Sequence, residues 1–108
     1  MIYELRTYII PPGRMDDIID RFATVTMRLF KKFDMEVVGF WTVDKPAEDY
    51  ALIYLMRFPD AASQEKAWDT FRADPEWVAT RERTEANGPI VTEVISKNMI
   101  PTSFSPMQ

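Results

Sequence analysis

Neither cysteine nor histidine occurs anywhere in the 108 residues. Without Cys there is no disulfide, no thiolate nucleophile and no zinc–thiolate site, and the chain suits a reducing compartment. A cytoplasmic location is the expectation. Without His the usual neutral-pH base, the usual haem ligand and the commonest transition-metal ligand are missing. No metal and no cofactor are therefore expected, and a Ser–His–Asp set is excluded. Glycine is scarce too. Gly13, Gly39 and Gly88 lie far apart and form no phosphate-cradling loop. Basic residues are outnumbered, 13 Lys and Arg against 17 Asp and Glu, and none cluster beyond the pair Lys31-Lys32. A net charge of −4 offers no surface for displacing nucleic-acid counterions. The longest strongly apolar run, Ala51 to Met56, is too short to span a bilayer, so no membrane insertion is expected. The opening residues have strand character and lack a charged segment followed by an apolar one, so no secretory signal is read there.

What is present is a globular balance, 46% hydrophobic and 28% charged, in a length that holds one core. Seven Met and a 13% aromatic share suit either that core or a ligand pocket. Ile2 to Ile10 reads as a strand with Glu4 and Arg6 on one face and Leu5 and Ile9 on the other, ended by Pro11-Pro12-Gly13. Arg14 to Phe33 reads as one helix, with Met15, Ile18, Ile19, Phe22, Val25, Leu29, Phe30 and Phe33 as its buried stripe. Asp16, Asp17 and Asp20 near its start suit a solvated helix N-terminus rather than a calcium site, since no Gly-rich loop accompanies them. Glu36 to Val43 and Tyr50 to Phe58 read as a hairpin across the polar loop Asp44 to Asp49. Gly39 inside a strand marks a bulge or a close approach.

Asp60 is the expected N-cap of a second helix bearing Trp68 and Phe71. Asp74-Pro75 restarts it as a shorter helix that stops near Asn87-Gly88-Pro89. Ile90 to Met99 is the last strand. The organisation is thus one α+β domain over residues 1–99 and a Pro-containing tail over 100–108 that packs on the domain or on a partner subunit. The order βαββαβ predicts a ferredoxin-like, four-stranded antiparallel sheet in order 4-1-3-2, helices on one face. Leu52, Tyr54 and Met56 alternate with Ile53 and Leu55, so both faces are apolar. A greasy face without helices predicts a homodimer.

Ile2-Tyr3-Glu4-Leu5-Arg6-Thr7-Tyr8, Pro12-Gly13, Val38-Gly39-Phe40-Trp41-Thr42, Trp68 through Phe71 with Asp74-Pro75-Glu76-Trp77, and Pro101 through Pro106 follow one another in an order and spacing that resembles the NIPSNAP family. The resemblance implies a ferredoxin-like subunit in a dimeric α/β barrel. The wider superfamily includes cofactor-independent monooxygenases, dehalogenating and haem-degrading enzymes, and many proteins without known activity. Animal relatives are linked to mitochondria and to vesicle or autophagy biology. Where the family often has Arg at the start of the second helix, this chain has Gln64.

Glu4, Arg6 and Tyr8 alternate along a strand expected at the centre of the sheet, where charge is costly unless paired. One reading has them line a polar pocket between helix-free faces, with Arg6 holding an anionic or enolic oxygen and Glu4 acting as base or positioning Arg6. The other is a structural ion pair that fixes the dimer. Trp41 and Tyr54 serve either as aromatic pocket walls, the Tyr54 phenol joining the chemistry, or as plain packing. Glu93 on the last strand is a further pocket candidate, whereas Tyr3 and Arg57 read as edge or solvent positions. Trp68, Phe71 and Trp77 are assigned to packing, and Arg81 with Glu85 to an exposed i,i+4 pair. Two functions compete. One is a small-molecule binder or cofactor-independent enzyme with a hydrophobic cavity between helices and sheet for an aromatic or enolisable compound. The other is a non-catalytic protein-interaction module.

Overall fold

The computed structural model describes residues 1–44 and 50–108; the predicted loop at 44–49 lies almost wholly outside them. Strand β1 (Ile2–Ile9) is bounded by the proline pair, which has no N–H to continue a ladder. It pairs antiparallel with both β3 (Ala51–Phe58) and β4 (Glu93–Met99). β2 (Glu36–Thr42) adds to β3, giving the sheet order β2-β3-β1-β4, the predicted 4-1-3-2 arrangement read from the other edge. The fold is ferredoxin-like α+β. The last strand starts at Glu93 rather than Ile90. Ile90 is instead a fully buried plug, while Thr92 closes the ladder with a 2.9 Å bond from its N–H to the Ile9 carbonyl.

The first helix is interrupted. α1 (Met15–Arg21) runs into a π-helical turn (Phe22–Thr26) and then α2 (Met27–Lys32). An i→i+5 turn takes in one more residue than an α turn and so rotates the apolar stripe. Ile18, Phe22, Val25, Leu29 and Phe30 are buried as expected, but Ile19, just before the turn, is 43% exposed and Arg21 only 6% exposed. α3 (Ala61–Ala73) and α4 (Pro75–Thr84) begin as read from the sequence. Asp60 accepts the Ser63 N–H at 2.7 Å, and Asp74 accepts the Trp77 N–H at 3.1 Å beside Pro75. Among the described residues no helix is long and apolar enough to cross a membrane.

Register decides which side chains share a face. The helices cover the face carrying Glu4, Arg6, Tyr8, Leu52, Tyr54, Met56, Phe40 and Ser96. The opposite face carries Leu5, Ile53, Leu55, Trp41 and Ile95, with Trp41 52% exposed. Gly39 sits at a bulge in β2 and beneath the Trp41 indole, where an added Cβ would lie 2.9 Å from a ring carbon. The tail folds onto one end of that same face. The Gln108 carbonyl accepts the Tyr3 hydroxyl at 2.9 Å and Arg57 at 3.3 Å. Tyr3 is therefore buried, contrary to its reading as a solvent position.

Candidate functional site

Glu4 accepts four side-chain hydrogen bonds, more than any other carboxylate among the described residues. Its Oε1 accepts from Trp68 Nε1 and Gln64 Nε2, both at 2.8 Å; its Oε2 accepts from Arg6 at 2.8 Å and Ser96 at 2.6 Å. Burial pushes its carboxyl up, but the bonds from Ser96, Arg6, Trp68 and Gln64 outweigh it and hold the group below the usual range. With four donors converging on it, Glu4 has no lone pair left for a substrate proton. Of the two roles open to it, the geometry suits positioning Arg6 rather than acting as a base. Gln64, at the site where Arg was noted in the family, donates to Glu4 and also bridges to Asn98.

Arg6 uses Nε for the Tyr54 hydroxyl at 2.7 Å, one amino group for Glu4 and the other for the Tyr8 hydroxyl at 3.3 Å. Three of its five N–H donors are thus spent. Its Cζ lies 4.3 Å from the Trp68 ring centre. Burial works against its charge, yet the adjoining Tyr54 and Tyr8 oxygens and Glu4 hold the guanidinium above its usual range.

Tyr54 is wholly buried and boxed by Phe40, Phe22 and Tyr8, with Phe40 stacked on it at 5.0 Å. Burial, then the Tyr8 oxygen beside it, pushes the Tyr54 phenol well up, with Arg6 opposing only in part. Its hydroxyl accepts from Arg6, and its neighbour at 2.8 Å is the Tyr8 hydroxyl. A buried O–H left without an acceptor is costly, so Tyr54 donates to Tyr8. The Tyr8 oxygen then receives two donors, and its own proton is free to point elsewhere.

Tyr8 also lines a cleft. A cavity of about 260 Å³ lies between the helix-facing side of β1, the start of β4 and the helices. Tyr8 and Arg6 line it from the sheet; Arg21, Trp68, Arg72, Trp77 and Arg81 line it from the helices. Tyr54 stands behind Tyr8 and does not reach it. This cleft lies between helices and sheet, not between helix-free faces, and its lining mixes four guanidinium groups with Tyr8, Trp68, Phe71, Trp77, Val91 and Val94. Glu93 contributes from the start of β4, exposed. Trp41 is on the far face of the sheet from Tyr54, so these two do not form one wall.

Trp68 and Trp77, read as packing only, both line the cleft, and Trp68 also donates to Glu4. Arg81 and Glu85 do pair, at 3.1 Å, but on the cleft side of α4. Arg21 escaped notice altogether. Its signal was there, since Ile18, Arg21 and Val25 fall at i, i+3 and i+7 and put a cation on the buried stripe. Among the described residues no group of His, Cys, Asp and Glu is placed to hold a metal ion.

The model of the NIPSNAP family matches residues 3–106. The chain belongs to the NIPSNAP family. No curated protein matches it. Among solved structures, an uncharacterised NIPSNAP domain protein from Burkholderia xenovorans is 22% identical, with a TM-score of 0.83 over 98% of this chain and 99% of the other. A NIPSNAP family protein from Agrobacterium tumefaciens is 18% identical, with a TM-score of 0.86 over 99% and 98%. An antibiotic biosynthesis monooxygenase is more distant, 16% identical, with a TM-score of 0.57 over 94% and 99%. Such likenesses establish the fold that NIPSNAP proteins share with the wider group, and the chemistry must be argued from the cleft itself.

Proposed function

We propose that this NIPSNAP protein binds a small enolisable or phenolic compound in the cleft and, with no cofactor, stabilises the oxygen that gathers charge when a neighbouring proton leaves. The observation that carries this reading is Tyr8. Its side chain lines the cleft, Arg6 donates to its hydroxyl, and the Tyr54 hydroxyl lies 2.8 Å behind it. A substrate carbonyl oxygen accepting from Tyr8 and from the unspent Arg6 donors would turn into an enolate without moving its partners, as the α C–H bond breaks and its proton passes to the cleft carboxylate Glu93. Reprotonation elsewhere would make the reaction isomerase-like; reaction with dioxygen would make it monooxygenase-like. The fold-level analogy with the antibiotic biosynthesis monooxygenase favours keeping both open.

The test is exchange of α-protons into D₂O, followed by NMR, over a set of aryl ketones. Exchange faster than in buffer is expected. Tyr8→Phe should slow it by about 100-fold while leaving the near-UV spectrum intact. No acceleration for any ketone would overturn the proposal.

The same reading includes a homodimer in a cytoplasmic setting, formed through the uncovered face of Leu5, Ile53, Leu55, Trp41 and Ile95. A non-catalytic interaction module is the competing reading. It is favoured by one observation, the exposed Ile100 and Phe104 of the tail. Capture of a partner by the full chain but not by one ending at Met99, with no ligand found for the cleft, would select it.

A further inference from the structure

The cleft has an electrostatic character that the oxygen-holding role of Tyr8 does not require. Four guanidinium groups line it, Arg6, Arg21, Arg72 and Arg81, against two carboxylates, Glu85 and Glu93. With Glu4 counted as the partner of Arg6, that is four positive less three negative charges, or +1, inside a protein of net charge −4. The pairing is also incomplete. Arg6 is satisfied by Glu4, but Arg21 and Arg81 share one oxygen, Glu85 Oε2, at 3.4 and 3.1 Å. Among the described residues Arg72 has one carboxylate partner, the exposed Asp69 at 3.9 Å.

Arg21 is the sharpest case. Its side chain is 6% exposed, and its Nε has no hydrogen-bond partner. Burial pushes its guanidinium below the usual range, and Glu85 offsets this only in part. The arginine stands immediately before the π turn, and insertions of this kind recur at functional sites. Leaving a buried cation half-paired is destabilising unless something else completes it. Aromatic surface accompanies the charge. Arg21 lies 5.0 Å from the Trp77 ring centre and Arg72 5.5 Å from that of Trp68.

We infer that the ligand of this cleft is an aromatic acid, its carboxylate seated among Arg21, Arg72 and Arg81 and its ring against Trp68 and Trp77. This rests on reading the cleft as the ligand site, and it names the substrate class for it. A ring, a carboxylate and an enolisable carbonyl amount to a molecule of about a dozen heavy atoms. That suits a cavity of about 260 Å³, slightly under the common range of ~300–1,000 Å³. Charge-assisted bonds from a planar fork are the reason a carboxylate is favoured over a neutral polar group.

The experiment titrates the full chain with phenylpyruvate, phenylacetate and benzoate, and with phenylacetone and benzamide as neutral counterparts. Tryptophan fluorescence reports binding, with Trp68 and Trp77 at the site, and calorimetry checks it. The acids should bind about tenfold or more tighter than their neutral counterparts, and added salt should narrow the gap. Arg21→Gln should remove the preference. Because Arg21 is buried and its loss can unfold the chain, Arg72→Gln with Arg81→Gln provides an independent arm. These side chains are 59% and 68% exposed, and the double variant should lose most of the preference without losing fold. Equal affinity for acids and neutral compounds would overturn the inference while leaving the Tyr8 chemistry standing. Inorganic phosphate matching the acids would overturn the aromatic part. Silence from every acid, with ketone exchange intact, would overturn it entirely.

Discussion

Four donors on a single buried carboxylate make Glu4 the residue on which the site's geometry depends. Replacing it with Gln keeps the shape but turns one of its two acceptor atoms into a donor that faces donors, whichever way the amide is turned. Breaking a buried, hydrogen-bonded charge pair in this way should cost about 3 kcal/mol, read from urea denaturation. The pH dependence follows from the same bonds. Glu4 is held below its ordinary value of 4.5, so in acid the unfolded chain takes up its proton first. Its contribution is complete above that ordinary value and is lost as pH falls through the lowered one. The wild-type protein should therefore lose stability steeply on the acid side, and Glu4→Gln should flatten that limb. An unchanged acid limb in the variant would mean the carboxylate is not the titrating group. The pairing of Glu4 with Arg6 was legible in the sequence because strand alternation puts residues two apart on one face. Which face was not legible. With Leu52, Tyr54 and Met56 on one side of β3 and Ile53 and Leu55 on the other, periodicity marks partners but not the side on which the helices lie.

At the scale of elements, local chemistry was readable and insertions were not. Asp60 and Asp74-Pro75 mark helix starts through bonds made within three residues, so their positions survive in any tertiary setting. The π turn at Phe22–Thr26 has no such local mark. The cleft side of α4 was equally hidden, since Trp77 and Arg81 become lining residues only when β4 is placed beside them. Asp74 connects these levels. It is 8% exposed, caps α4 and also receives Lys32 at 3.4 Å. Asp74→Ala should cost about 1–2 kcal/mol, near the upper end for a lost cap. It should also loosen the first turn of α4, and with it the Trp77 ring in the cleft. The exposed cap Asp60 provides the control. Asp60→Ala should cost less and leave ligand titrations unchanged.

For the whole molecule, the question is what covers the second face of the sheet. Trp41 is held flat over Gly39, Leu5, Ile53 and Leu55 are half-buried, and Ile95 is open. Contiguous apolar surface on a helix-free face is the pattern of a subunit interface, and a two-fold axis is the simplest closure. The tail covers only the end of the face near Tyr3 and Arg57, leaving the centre free. Sedimentation at micromolar concentration should therefore give twice 12.6 kDa. Ile53→Lys places a charge in the middle of that face with no role in the core and should yield monomers. Those monomers should keep the Glu4–Arg6–Tyr54 network, which lies on the opposite side of the sheet, and hence should still bind in the cleft. A wild-type particle of 12.6 kDa would remove the dimer, though not the cleft. A monomeric Ile53→Lys variant that loses ligand binding would show instead that the second copy helps to shape the site.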